Sequence, residues 1–263
     1  MSGNKPFFEQ RRDRRKMLRA ALVGLASGTL AGCDALTHNE AAVEVLRSAE
    51  SLTNKVHRAF GRKALAQEFD ASQAAPVFRA NGTLEPMGDA YAELVATNFA
   101  SWRLKVDGLV QKPLEFSLAQ LREMPSRTQV TRHDCVEGWS CIGQWKGVRL
   151  SHVLGLAQLK PEAKYIVFHC LDQMEEDDAD SMYYESVDLD DAFHEQTILA
   201  YELNGKPVPV GNGAPLRARI ERQLGYKQPK YVDRIEAVSE FSQIAGGKGG
   251  YWEDQGYNWY GGI

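Results

Sequence analysis

The chain has 263 residues, 25 % of them charged and 43 % hydrophobic, with a formal net charge of −4. That length holds one large domain or two small ones with a real core, and the composition excludes a collagen, a coiled coil or a disordered chain. Its four cysteines show no C-x-x-C spacing and its histidines are scattered, which argues against a zinc site.

The N-terminus differs from the rest. Arg11, Arg12, Arg14, Arg15, Lys16 and Arg19 form a basic head, followed by an apolar, small-residue run from Ala20 to Ala31. A basic head, a short apolar run and a small-residue end follow the order of an export signal. The run is too short to span a bilayer core of about 30 Å. Within it, Asp13-Arg14-Arg15-Lys16-Met17-Leu18 resembles a twin-arginine signal. Leu30-Ala31-Gly32-Cys33 resembles a bacterial lipobox, and Asp34 resembles the mark of lipoproteins kept at the inner membrane. Residues 1–32 are therefore expected to be a signal. The product would be periplasmic and lipid-anchored through Cys33; a soluble product cleaved nearby is the alternative. Without residues 1–32, which hold seven basic and two acidic side chains, 24 basic and 33 acidic side chains remain, a balance of −9. Such a chain is not expected to bind nucleic acid, which needs a basic surface. Lipidation of Cys33 would leave Cys135, Cys141 and Cys170, an odd number, so at least one thiol has a task other than a disulfide.

Residues 33–77 read as a tether and an amphipathic helix, since Ala42, Leu46, Ala49, Leu52, Val56 and Phe60 recur at helical spacing. Residues 61–80 lack periodicity and read as coil, and from Phe78 short strands and helices take over. Trp102–Gly108 alternates as a strand, and Ser117 caps a short helix through Leu121. Thr128–Asp134 is a strand leading into Cys135, Ser151–Leu156 a helix, and Tyr165–Phe168 a buried strand. Thr197–Leu203, the Asn204-Gly205 turn and Leu216–Ile220 predict an antiparallel element, and Tyr231–Val238 a last strand. Without a βαβ rhythm the class is α+β, mainly antiparallel, over residues 78–263.

Asp134-Cys135-Val136-Glu137-Gly138-Trp139-Ser140, with Trp145 beyond it, resembles the cysteine loop of the sulfite-oxidase family of molybdopterin oxidoreductases. The nearest resemblance is to the bacterial periplasmic methionine-sulfoxide reductase branch. Leu199–Pro207 and Asn212-Gly213-Ala214-Pro215-Leu216-Arg217 resemble further family stretches, as does Gly225–Tyr231 with Gln228, Pro229 and Lys230. The resemblance implies the family's molybdopterin-binding fold and a molybdenum–molybdopterin cofactor with one pterin dithiolene. Cys135 would be the metal's thiolate ligand; a soft thiolate suits such a metal. Asn212, Arg217, Gln228, Pro229 and Lys230 would hold the pterin and its phosphate, for which Arg offers a planar fork. Arg79 and Asn81 match a first cofactor loop, Cys170 stands where relatives place a threonine near the pterin, and Tyr183 aligns with a tyrosine beside the metal.

Where sulfite oxidases follow the ligand cysteine with a Gly-Asn-Arg-type run, this chain has Glu137, Gly138 and Trp139. A carboxylate there disfavours a small dianion and suits a neutral oxide. The resemblance thus implies oxygen-atom transfer, reducing an S- or N-oxide, with a haem-containing membrane subunit or a c-type cytochrome as electron partner. The immunoglobulin-like dimerisation domain of vertebrate and plant relatives has no counterpart here, so a monomeric catalytic subunit is expected. A sulfite dehydrogenase and a non-catalytic lipoprotein on the same fold are the rival readings.

Overall fold

The computed structural model describes residues 39–178 and 181–263. The expected signal and lipobox fall outside the described residues. Two compact units divide the chain at Lys55, and the larger, Val56–Ile263, carries all the sheet. The expected helix is α1, Glu40–Gly61. No helix among the described residues is long and apolar enough to cross a membrane.

The remaining helices are short: α2 (Asp89–Ala96), α3 (Leu118–Glu123), α4 (Leu150–Ala157), α5 (Leu189–Ala192) and α6 (Tyr251–Asp254). One sheet runs β2 (Leu114–Ser117), β1 (Arg103–Gly108), β10 (Val232–Val238), β5 (Tyr165–Gln173), β6 (Met182–Asp188). The second runs β3 (Ser126–Cys135), β4 (Trp139–Arg149), β7 (Ile198–Leu203), β8 (Lys206–Pro207), with β9 (Arg217–Arg219) also on β7. Only β1 with β10 pairs in parallel among these; the other pairs are antiparallel. The class is α+β, as the lack of a βαβ rhythm predicted.

Local signals explain several elements. Ser117 Oγ accepts from the Gln120 N–H while the Gln120 side chain accepts from the Ser117 N–H, a reciprocal cap that starts α3. On β1, Leu104 and Val106 are buried while Arg103 and Lys105 are exposed. These two residues join Ile166 and Phe168 of β5, Val153 and Leu154 of α4 and Leu199 of β7 in the main core. Each such side chain contributes about 1.5–3 kcal/mol on burial. A smaller cluster around Phe78, Trp145 and Ile198 forms separately.

β4, the longest strand, is not evident from alternation because Gly143 and Gly147 interrupt it. The interruption has a packing cause: a Cβ at Gly147 would stand 2.1 Å from the Leu199 carbonyl oxygen of β7.

An ion cluster ties the end of α1 to α5. Arg58 meets Asp188 at 2.9 Å and Asp191 at 2.7 Å, and Arg222 meets Asp191 at 2.7 Å. Burial opposes ionisation of Asp191, but the Arg58 hydrogen bonds and charge outweigh it and hold the carboxyl down to about 2. A carboxyl depressed in the fold stabilises fully above its unfolded value near 4, and loses that contribution as pH falls toward 2. Between pH 5 and pH 2.5 the wild type is expected to lose about 2 kcal/mol more stability than Asp191→Asn, read from denaturant melts. Parallel losses would deny Asp191 this role.

Candidate functional site

Cys135 ends β3 and faces Trp139 across a tight turn into β4. Gly138, at φ +85°, supplies the left-handed residue the turn needs, and its N–H donates to the Cys135 carbonyl at 3.0 Å. Asp134 and Ser140, paired in register below the turn, are joined side chain to side chain. The thiol is thereby held at the end of a stiff hairpin, and Cys135 is only 9 % exposed. Burial pushes its pKa up; the Glu137 and Val136 N–H groups and the charge of Arg79 oppose this without cancelling it.

Cys135 lines a cleft of about 150 Å³. Of the sequence-predicted residues, Asn81, Glu137 and Tyr183 share its wall, as do Gln228, Pro229 and Lys230. Predicted residues as far apart as Asn81 and Lys230, 149 positions along the chain, thus converge on one hollow.

Glu137 is exposed at the edge, its Oε2 accepting from Trp139 Nε1 at 2.9 Å. Tyr183 is buried and donates to the Tyr226 carbonyl at 2.5 Å; burial keeps the phenol well above its ordinary pKa, hence protonated. Lys230 donates to the carbonyls of Asn81 at 2.7 Å, Gly211 at 3.1 Å and Thr83, so it ties the Asn81–Thr83 loop against the body. Asp172, unmarked in the sequence reading, lies on the same wall. Burial raises the Asp172 carboxyl and lowers the Lys230 ammonium.

The other predicted residues stand behind or beside the wall. Arg79 is exposed, its guanidinium 4.6 Å from the Trp139 ring centroid. Asn212 is buried beneath the Phe78 carbonyl, to which its Nδ2 donates at 3.5 Å. Cys170 packs in the main core opposite Val232, in the same cluster as the wall residue Tyr183, and does not itself line the cleft.

Arg217 is fully buried against Trp145, donating to the carbonyls of Asn212 at 3.0 Å and Gln228 at 3.3 Å. Its neighbour Arg219 has Glu221 as counter-ion at 2.7 Å; among the described residues no carboxylate pairs with Arg217. Burial and the nearby Arg219 charge push Arg217 down to about 9.

His133, two residues before Cys135 on the same strand face, also escaped the sequence reading. Arg219 Nη1 lies 3.0 Å from His133 Nδ1. A guanidinium only donates, so Nδ1 accepts and the ring proton sits on Nε2. Burial and the charges of Arg219 and Arg217 hold this ring neutral, well below the ordinary histidine pKa.

The donor set fits a pterin carrying a phosphate. Asn81 Oδ1, Gln228 Oε1 and Asp172 Oδ1 belong to residues of the cleft wall, and His133 Nε2 and Arg217 Nε to residues outside it; all five atoms are buried without a hydrogen-bond partner. Unpaired buried polar atoms are costly and call for a ligand that pairs them. Arg217, buried with two carbonyls and the Trp145 ring but no ion-pair partner among the described residues, suits an anion. No group of three or more His, Cys, Asp and Glu side chains among the described residues forms a metal cage. A metal at Cys135 would take its other ligands from a bound group.

Comparison with known proteins agrees. Residues 92–244 match the family model described as oxidoreductase molybdopterin binding domain. Over 253 residues, 95 % of this chain and 87 % of the relative, the chain is 36 % identical to a putative protein-methionine-sulfoxide reductase subunit, YedZ1, of Azospira oryzae. It is 30 % identical over 151 residues to the protein-methionine-sulfoxide reductase catalytic subunit MsrP of Campylobacter jejuni, matching 54 % of this chain and about half (51 %) of that one. Among solved structures, the sulfane dehydrogenase SoxCD from Paracoccus pantotrophus aligns with TM-score 0.48 and 24 % identity over 54 % of this chain and 39 % of that chain. The chain is an enzyme of the molybdopterin-binding oxidoreductase family, the sulfite-oxidase family.

Proposed function

We propose that this enzyme is an exported molybdenum oxidoreductase that reduces neutral S- or N-oxides by oxygen-atom transfer, with Cys135 as the metal's protein ligand. The observation that carries the reading is a nearly buried thiol at the end of a rigid hairpin, facing a hollow whose wall holds unpaired polar atoms. The relatives named as methionine-sulfoxide reductases support an S-oxide as substrate.

The bound molybdenum–pterin group would supply the two-electron chemistry and the acceptor for the oxygen. Arg217 would neutralise the phosphate, with Asn212 and Lys230 holding the surrounding backbone in place. His133 Nε2–H, Gln228 and Asn81 would pair with polar edges of the pterin. Reducing an oxide with loss of its oxygen as water takes two electrons and two protons. Tyr183, protonated and on the wall, gives its hydroxyl hydrogen to the Tyr226 carbonyl and so orients the phenol beside the cleft, while Glu137 faces solvent at its edge. Glu137 and Asp172 make the cleft unfavourable to sulfite, a dianion.

The basic head, apolar run and Cys33 of the N-terminus support export by the twin-arginine route, which carries folded proteins, and a lipid anchor at the inner membrane. A folded, cofactor-loaded product is what that route accepts. Electrons would come singly from a haem-containing membrane subunit or a c-type cytochrome.

Protein purified from a host that makes molybdopterin should carry about one molybdenum per chain. It should oxidise a reduced viologen dye with dimethyl sulfoxide or trimethylamine N-oxide, and not pass electrons from sulfite to a cytochrome. Metal-free protein from that host, or sulfite-dependent turnover, overturns the reading.

A further inference from the structure

Two rings on the cleft wall, Trp252 and Tyr257, come from beyond the segment that matches the family model. Their centroids are 5.3 Å apart with the planes inclined by 33°, and Tyr226 stands edge-on to Tyr257 at 5.3 Å. Met174 adds a polarisable thioether to the same wall.

The segment bearing the two rings is latched between and after them. Between them in sequence, the buried Glu253 accepts from the buried Lys227 ammonium at 2.6 Å, and Asp254 accepts from the Tyr184 hydroxyl at 2.6 Å. Asp254 also takes the Gly246 and Lys248 N–H groups, each at 3.0 Å. After them, the Tyr226 hydroxyl donates to the Asn258 carbonyl at 2.7 Å, and Trp259 Nε1 donates to Ser186 Oγ at 2.9 Å. A wall held this firmly needs little ordering when a ligand arrives, so its contacts are available for selection.

Resting on the oxide-reductase reading of the cleft, we propose that Trp252 and Tyr257 are specificity-determining residues that select neutral S-oxides bearing a flat aryl substituent. The aryl group lies against the Trp252–Tyr257 pair, with the oxide end toward Cys135. Offset or tilted ring contacts favour such a group over a methyl, and the acidic Glu137 and Asp172 disfavour an anionic one.

The test compares methyl phenyl sulfoxide with dimethyl sulfoxide on the molybdenum-loaded enzyme, with reduced viologen as donor. The wild type should show the higher kcat/KM for the aryl substrate. Trp252→Ala and Tyr257→Ala should each cut the aryl-to-dimethyl ratio about tenfold, through KM, and Trp252→Phe should keep most of it. A ratio unchanged in both alanine variants, or no aryl preference in the wild type, overturns the proposal. A second readout needs no turnover: methyl phenyl sulfone, which has the same shape, should bind about tenfold more weakly to either alanine variant by calorimetry. Weakened sulfone binding in an enzyme that holds molybdenum yet reduces no oxide would sink the proposed reaction and leave the aromatic wall standing. Sulfoxide turnover with undiminished sulfone binding would do the reverse.

Discussion

Cys135→Ser is expected to lower oxide-dependent turnover by about a thousandfold, roughly 4 kcal/mol of barrier, while most of the pterin stays bound. The hydroxyl that replaces the thiol is a hard, weakly acidic ligand where the metal favours a soft thiolate. In the fold without metal, burial already makes the thiol hard to ionise. A bound cation must therefore supply the drive to deprotonate it, and it does so far more readily for sulfur than for oxygen. The pterin contacts proposed for Arg217, His133 and Gln228 lie off the hairpin turn and are untouched by the change. The hairpin itself tolerates serine, since Asp134 with Ser140 and the Gly138 turn hold it without the sulfur. Activity, molybdenum by elemental analysis and pterin by fluorescence after release give three separate readings. A serine variant with near wild-type turnover would remove Cys135 from the metal.

Arg217→Met should separate stability from cofactor retention. In the empty protein Arg217 is a fully buried cation without a carboxylate partner, only partly compensated by two carbonyls and the Trp145 ring. Replacing such a charge with an apolar chain of similar size is often neutral or stabilising. Chain made in a host lacking the pterin should therefore melt no lower than wild type. In the loaded protein the same change removes the phosphate's buried partner, a loss of about 2–5 kcal/mol, or about thirtyfold and upward in retention. Equal pterin content in the two proteins would deny Arg217 its anion, and a large fall in the melting temperature of the empty variant would make the residue structural.

How much of this was legible from residues alone depends on how local each signal is. Ser117 and Gln120 announce α3 because a cap is decided within four positions, and β1 shows in the alternation from Trp102 to Gly108. Cys135 and the Gln228–Lys230 run were found through resemblance, which carries spacing that no local rule supplies. β4 stayed hidden because Gly143 and Gly147 are selected by neighbouring elements, and those neighbours come from distant sequence. Asp172 and Met174 reach the cleft through tertiary packing, with nothing beside them in sequence to mark them; the aromatic tail from Tyr251 to Tyr260 stands out in sequence, and packing decides that Trp252 and Tyr257 line the cleft. His133 was within reach. Gln129, Thr131, His133 and Cys135 share the buried face of β3, so stepping back by two from the cysteine leads to it. Cys170 is singled out by resemblance alone, and its side chain packs in the main core together with the cleft residue Tyr183.

The side-by-side pairing of β1 with β10 has a consequence for biosynthesis. The middle of the first sheet joins residues 103–108 to residues 232–238, so that ladder cannot close until residue 238 has left the ribosome. Contacts this far apart in sequence form late and slowly. Gln228 and Lys230 arrive on that same closing stretch, so the cavity is assembled only after it has emerged. A nascent chain shorter than this accordingly has no finished receptacle to fill, and loading waits for residues 228–238 to dock.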